Sequence, residues 1–343
     1  MVQQSLEFKD ILVIHFGQLG DVVLGLPALV AIRQRFVDSK ITLLIGQSAG
    51  AIAKLANVAD EYILVDRVAL RDGKKLRSIR SILALVSDIR SRRFDLVIDL
   101  NSLYETNLLG FLSGAKSRLY ENRENRSINW LSNFPVASPR EDKLQHHTDR
   151  YLAVLEPLGI YGAKRTITVD PPASLLEQNK TLKDLTNFDG YLIGLFVGAG
   201  HVSRRWPIEK FVGLAAELAR DGAARILVFL GPEERDQRPG LAERFGVSAI
   251  VVDEMPLMPF FAMLSRLSIF VCGDTGPMHL AALAGADIVL LSEIGSTQVY
   301  RPLIQGLEVI EDRPLNEITV EQVQNAVSKL RRRVRRRVSL PYN

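Results

Sequence analysis

Three stretches of this sequence place small residues beside charged or hydroxylated ones, as a phosphate-binding or proton-transfer site requires. The first is His15-Phe16-Gly17-Gln18-Leu19-Gly20-Asp21, directly after an apolar run. Gly17 and Gly20 let the backbone turn sharply and approach a ligand closely. Asp21 offers a carboxylate suited to general-base work, or equally to capping the free N–H groups of a helix start. The second is Gly198-Ala199-Gly200-His201-Val202-Ser203-Arg204-Arg205-Trp206-Pro207. Its backbone donors and the Arg204 and Arg205 guanidinium groups suit a phosphate; the alternative is a solvated surface loop with Trp206 packed beneath it. The third is Cys272-Gly273-Asp274-Thr275-Gly276-Pro277-Met278-His279, running into a helix. Thr275, Gly276 and the N–H groups that follow would face an anion favoured by the helix dipole. His279 falls in the first helical turn, either at the same mouth or as a core histidine satisfied by a carbonyl. Glu233–Glu234 and Asp253–Glu254 close two further apolar runs, as rim carboxylates or as caps and solvated charge.

Several familiar chemistries do not fit these patterns. The spacing Gly-x-x-Gly-Asp differs from the dinucleotide fingerprint, and the second strand ends Ile45-Gly46-Gln47 without a carboxylate for a ribose. The Gly-x-x-x-x-Gly-Lys-Ser/Thr phosphate loop is missing too. One cysteine, Cys272, makes neither a disulfide nor a zinc site, and the adjacent His146 and His147 do not converge easily on one ion. With no Asp-x-Asp to hold a metal–diphosphate, we expect no metal and no cofactor. A diphosphate would then be neutralised by cationic side chains and helix ends.

Short apolar runs alternating with amphipathic stretches predict an α/β chain with mainly parallel sheets. Expected strands in the first half are Ile11–Phe16, Ile41–Ile45, Tyr62–Val65 and Asp95–Leu100, solidly apolar as when helices cover both sheet faces. Expected helices are Ala28–Phe36, Leu76–Ser91 and Thr148–Leu158, the last closed by Gly159. A first domain over 1–165 is followed by a linker over 166–190, marked by Pro171, Pro172, Asn179, Asn187 and Gly190 and by a weak helical pattern at Leu175–Leu185. The alternation restarts over 191–330. Its strands are Tyr191–Val197, Ala224–Leu230, Ala249–Val252, Ile269–Cys272, Ile288–Leu291 and Leu307–Ile310, with helices at Ile208–Arg220, Leu241–Phe245, Leu257–Leu267 and Met278–Ala284.

The 343 residues, 47% apolar and 24% charged, suffice for two domains with substantial cores and exclude a disordered or fibrous chain. No apolar run approaches the roughly 18–20 residues that span a bilayer, and no secretory leader is visible, so a reducing, cytoplasmic setting is expected. The formal charge is +4, but six arginines between Arg331 and Arg337 carry the excess; without them residues 1–330 stand at −2. Residues 331–343 are therefore a basic tail on a slightly acidic body. Val320, Val323, Val327, Leu330, Val334 and Val338 recur at helical spacing into it. That pattern suggests a terminal helix whose apolar stripe and arginines would meet an anionic membrane surface, or a frayed solvated end. Nucleic acid binding through Arg331–Arg337 is the alternative partner, and the acidic body speaks against it.

Taken in order and at their intervals, these loops resemble glycosyltransferase family 9, the bacterial heptosyltransferases that transfer ADP-heptose in lipopolysaccharide core assembly. The resemblance runs through Ile11–Phe36 with Gly20-Asp21 and Leu26-Pro27-Ala28, Phe94–Leu100, Leu112–Lys116, His147–Gly159, Gly198–Phe211, Gly231–Arg235 and Gly273–Ala284. It implies a GT-B fold, two Rossmann-like domains facing across a cleft, with the acceptor on the N-terminal side and the nucleotide sugar mainly on the C-terminal side. It further implies inverting, metal-independent transfer to a lipid-linked glycan, by an enzyme peripheral to the inner face of the cytoplasmic membrane. Asp21 takes the place of the family's catalytic base. Arg204 stands where the family usually has a diphosphate-binding lysine, keeping the charge but not the point-charge geometry. Glu234, with Glu233 adjacent, matches the ribose-binding acid, and Asp274, Thr275, Gly276 and His279 match the phosphate loop. The substrate-binding set is completed by Gly17, Gly20, Gly198 and Arg205. A nucleotide-sugar epimerase of similar fold is the alternative enzyme.

Overall fold

A computed structural model describes residues 7–67, 75–177, 179–199, 204–231, 238–252 and 254–338. The chain divides into two compact units, Met1–Ile167 and Thr168–Asn343.

Among its described residues unit 1 carries five parallel strands, β1 (Asp10–His15), β2 (Lys40–Gly46), β3 (Glu61–Val65), β4 (Leu96–Asp99) and β5 (Ser117–Tyr120), in the order β3-β2-β1-β4-β5. Its main helices are α1 (Leu19–Arg35), α2 (Gln47–Leu55), α3 (Lys75–Ser91), α4 (Tyr104–Leu112) and α5 (His147–Ala153). The order reverses between β1 and β4, and the crevice outside the carboxyl ends of such strands is where open α/β sheets bind ligands. The loops that begin at Phe16 and Leu100 leave the sheet there.

Two elements of unit 1 differ from the sequence expectation. Helix α1 starts nine residues before Ala28 and runs through Pro27, because Val22–Ala28 is buried as a solid block. A helix buried on nearly every side shows no 3.6-residue alternation, and its proline reads as a break. The helix expected at Thr148–Leu158 is instead α5 followed by a 3-10 turn at Glu156–Leu158, which contains Pro157 and is closed by Gly159 at φ 74°.

Unit 2 begins with two short helices, α6 (Ala173–Glu177) and α7 (Lys180–Thr186), in the segment read as a linker. They belong to the unit: Leu182 is buried, Val169 N–H donates to the Leu283 carbonyl at 2.9 Å, and Arg225 donates to the carbonyls of Asp184, Leu185 and Asn187. Strands β6 (Tyr191–Phe196), β7 (Ala224–Phe229), β8 (Ile250–Val251), β9 (Ile269–Gly273), β10 (Asp287–Glu293) and β11 (Leu307–Asp312) form a parallel sheet ordered β11-β10-β9-β6-β7-β8. The first strand again lies inside, and the order reverses between β6 and β9. Helices α8 (Ile208–Ala219), α9 (Leu241–Phe245), α10 (Leu257–Leu264), α11 (Gly276–Leu283) and α12 (Val320–Val338) complete the unit.

The apolar stripe of α12 is spent inside the protein from Val320 to Leu330. Val323, Val327 and Leu330 are buried in one core with Trp206, Phe211 and Leu214, and Val320 packs against it. Tyr191 holds Arg331 under its ring at 5.2 Å, and the guanidinium also donates to the Leu218 carbonyl at 3.2 Å. From Val320 to Leu330 the stripe therefore closes the core of unit 2 rather than meeting a membrane. Among the described residues no helix is long and apolar enough to cross a membrane.

Candidate functional site

Each of the three sequence motifs follows a strand that borders a reversal point. In unit 1 the β1–α1 loop is pinned from several sides. Phe16 N–H donates to Asn101 Oδ1 at 2.6 Å and Gly17 N–H to His15 Nδ1 at 3.2 Å. Arg67 donates to the Phe16 carbonyl. Gly17 is required by close approach, since a Cβ there would lie 2.4 Å from Asp21 Cβ and 2.8 Å from His15 Cε1. Gly20 sits in the first turn of α1, and Asp21 Oδ2 accepts the Gln18 N–H at 2.9 Å. Asp21 thus caps its own helix while standing at the mouth of the reversal point.

Around Asp21 stand groups that the sequence reading did not assemble. His15 is fully buried, and desolvation lowers its pKa to about 4 against the opposing pull of Asp21. It is neutral, with Nδ1 accepting from Gly17 and the proton assigned to Nε2, which finds no hydrogen-bond partner. Its ring meets Tyr151 at 5.0 Å. His147 is likewise lowered by burial, Asp21 again opposing, and its Nε2 lies 3.0 Å from Arg150 Nη1 and so acts as acceptor. Arg150 also bridges Glu121 at 3.4 Å and Glu141, which pairs with Arg123 at 3.4 Å. Burial pushes the Glu121 carboxyl up to about 7 despite these cations.

The second support lies at the end of β4. Buried Asp99 accepts from the backbone N–H groups of Asn101 (3.1 Å) and Ser102 (2.9 Å) and from Asn107 Nδ2 (2.8 Å). Desolvation nevertheless raises its pKa to about 6. This cluster fixes Asn101, whose side chain in turn holds Phe16. The available signal was a run of polar residues after an apolar strand; its meaning depended on β4 lying beside β1.

In unit 2 the β6–α8 loop carries Gly198, which is buried, and the two arginines. Arg205 folds back to donate twice to the Ala199 carbonyl, at 3.3 and 3.2 Å, and so clamps the loop. Arg204 is exposed. Trp206 is buried beneath, donating from Nε1 to the Ile318 carbonyl at 2.9 Å and meeting Phe211 edge-on at 4.8 Å. A Cβ on Gly273 would stand 3.4 Å from the Arg204 carbonyl oxygen, so the loop crosses the end of β9 at close range. Asp274 is raised by burial, with the Arg204 charge opposing. Thr275 is the extended residue before α11; its hydroxyl turns to the Gly273 carbonyl at 3.4 Å rather than capping the helix. A Cβ on Gly276 would meet nothing within 4 Å, so the helix start is open there. His279 is buried in the first turns of α11. The structure thus groups Arg204, Asp274, Thr275 and Gly276 at one helix start, an arrangement able to receive an anion. Glu233, Glu234, Asp253 and Gly200–Ser203 lie outside the described residues, and no metal-binding group of three or more His, Cys, Asp or Glu occurs among the described ones.

The sequence pattern of glycosyltransferase family 9 (heptosyltransferase) matches residues 82–307. The chain belongs to this family. The family 9 chain is 21% identical to lipopolysaccharide heptosyltransferase 3 of Escherichia coli K12, over 84% of its own length and 83% of that protein's. Its fold resembles that of a family 9 glycosyltransferase from Veillonella parvula, with TM-score 0.82 and 23% identity over 96% of this chain and 98% of the other. It also resembles E. coli heptosyltransferase WaaC, solved with ADP-2-deoxy-2-fluoro heptose, with TM-score 0.73 and 21% identity over 93% and 99%. A UDP-GlcNAc 2-epimerase from Neisseria meningitidis shares the fold less closely, with TM-score 0.55 and 12% identity over 94% and 91%. This family 9 enzyme is therefore a glycosyltransferase of GT-B fold, and the epimerase alternative is not favoured.

Proposed function

We propose that this glycosyltransferase moves heptose from ADP-heptose to a hydroxyl of a lipid-linked lipopolysaccharide-core glycan, with inversion and without a metal. The observation that carries this reading is Asp21, held by Gly17 and its own helix cap at the carboxyl end of β1 beside the buried neutral His15. In the transfer, the Asp21 carboxylate takes the proton of the acceptor hydroxyl as its oxygen forms a bond to the anomeric carbon. The bond from that carbon to the phosphate oxygen breaks, and the nucleoside diphosphate leaves with the electron pair. Attack opposite the leaving group inverts the centre. Negative charge growing on the diphosphate is met by Arg204 and by the start of α11, which supply positive charge in place of a metal ion. WaaC, solved with an ADP-heptose analogue, supports the donor class, and the heptosyltransferase 3 relative supports the acceptor class.

The test is ADP release from ADP-heptose in the presence of a core acceptor and EDTA. Asp21→Asn should abolish transfer while leaving ADP affinity within about twofold, and transfer at the wild-type rate by that variant would overturn the base assignment. Arg204→Ala should raise the donor KM by on the order of tenfold to a hundredfold, matching the roughly 1.5–3 kcal/mol of a charge-assisted contact. Arg204→Lys should recover part of it. An unchanged KM in Arg204→Ala would remove Arg204 from the donor site. The basic segment at Arg331–Arg337 adds charge that would favour an anionic membrane carrying the acceptor, and Arg332 is exposed for it.

A further inference from the structure

Apolar side chains left in water gather on neighbouring elements of unit 1. On α3, Ile79, Ile82 and Leu83 are 53%, 42% and 62% exposed; on α4, Leu108 and Phe111 are 47% and 45% exposed. Trp130, on the 3-10 turn Asn129–Leu131, is 82% exposed. Helix α4 packs against both α3 and that turn. On α3 these residues continue a stripe that further along meets the core: buried Ile89 with half-buried Leu85 and Val86 fastens the C-terminal half of the helix to the core around Leu12, Ile14 and Val97. One to two turns earlier the same face meets no core among the described residues. Surface helices normally place polar residues at such positions, and clustered exceptions mark interaction sites.

Charge decides what occupies the face. The α3 sequence holds Lys75, Arg77, Arg80 and Arg90 against Asp88, and Asp88 is bridged to Arg92 at 3.1 Å. Arg80 is exposed beside Ile79. A cationic helix with exposed aliphatic residues, packed on α4, which in turn meets the turn carrying an exposed tryptophan whose indole suits the headgroup boundary, has the composition of a surface that lies on anionic lipid. A second copy of the chain seated symmetrically on the face would bring these cations against themselves.

We propose that the α3–α4 face of unit 1 docks on an anionic lipid bilayer, with Ile82, Leu83, Leu108 and Phe111 entering the headgroup–acyl boundary and Arg80 held among the phosphates. This assigns membrane contact to a different part of the molecule from the terminal arginines, whose helix has its apolar stripe in the core of unit 2. The assignment is independent of the transfer chemistry, because vesicle binding is read without turnover.

The full chain is sedimented with phosphatidylcholine vesicles, with and without about one-third phosphatidylglycerol. Binding should require phosphatidylglycerol. Ile82→Asp combined with Leu83→Asp should lower partitioning by at least about tenfold, as the loss of two buried aliphatic side chains implies. Leu108→Ser, on a separate helix, should lower it several-fold, and Arg80→Glu should weaken it most at low salt. Circular dichroism and ADP affinity at wild-type values establish that each variant is folded. Equal binding to both vesicle types overturns the proposal. So does wild-type binding by the α3 variants when Arg335, Arg336 and Arg337 replaced together by serine abolish it. Conversion of a dimer to a monomer by the α3 variants in sedimentation velocity, with no vesicle binding by the wild type, assigns the face to a second copy and overturns it too.

Discussion

The proposed mechanism gives the Asp21 carboxylate a second job beside its observed cap, and the two can be separated. Its Oδ2 caps the Gln18 N–H, a task that an asparagine side-chain oxygen performs as well. Asp21→Asn should therefore leave unfolding free energy within about 0.5 kcal/mol of wild type, whereas Asp21→Ala should cost about 1 kcal/mol, both read from urea melts. Nearby, His15 couples the same loop to pH. Desolvation holds its pKa near 4 in the fold, below the ordinary 6.5. As pH falls below 6.5 the unfolded chain takes up the proton first, so the native state loses stability down to about pH 4 and loses no more from this group below it. The loss is on the order of 3 kcal/mol. His15→Asn keeps an acceptor for Gly17 but cannot titrate, so wild type should lose that amount relative to the variant between pH 6.5 and 4; parallel stability curves would refute the role of His15. Asp21, Arg204 and the Asp274–His279 run were visible in the sequence because each sits in a contiguous motif. Asp99, Asn101 and the Glu121–Arg150–Glu141 group were not. Asn101 is 85 positions from the Phe16 amide it holds, and such a contact exists only once β1 and β4 are neighbours.

At the scale of elements, most strands were legible because both of their faces are buried, which makes them uniformly apolar. Strand β5, Ser-Arg-Leu-Tyr, sits at a sheet edge with two half-buried polar residues and carries no such mark. Helix α12 shows the opposite case, in which periodicity revealed the helix but not what its stripe would face. Val320, Val323, Val327 and Leu330 fit the core around Trp206 and Phe211, and Arg332 lies on the exposed side of the same helix. Leu330→Ala should cost about 2–5 kcal/mol in unfolding free energy. Arg332→Ala, on the solvent side, should change it by no more than about 0.5 kcal/mol. Comparable losses in both variants would mean that the basic stretch stabilises the fold through charge rather than through its apolar face.

The two units repeat one plan: each starts on an interior strand, builds outward, and returns to the other side of it, with a reversal point of the kind at which open α/β sheets bind ligands. The two reversal points carry different groups, the Asp21 carboxylate at the first and Arg204 with an open helix start at the second, and the proposed mechanism puts the nucleotide at the second. ADP alone should therefore slow amide hydrogen exchange in β6, β9 and α11 and leave β1 to β5 unchanged. Added at about a hundred times its Kd, it should stabilise the protein by about 2.7 kcal/mol. Protection that begins in β1 and β4 would place the nucleotide in the wrong unit. The chain's two tryptophans fall one to each unit, Trp206 3% exposed and Trp130 82% exposed. Their emission is consequently a two-channel optical reporter. Melting of unit 2 wets a buried indole and shifts the light to the red, while lipid contact dries an exposed one and shifts it to the blue, so a single spectrum distinguishes unfolding from docking by its sign.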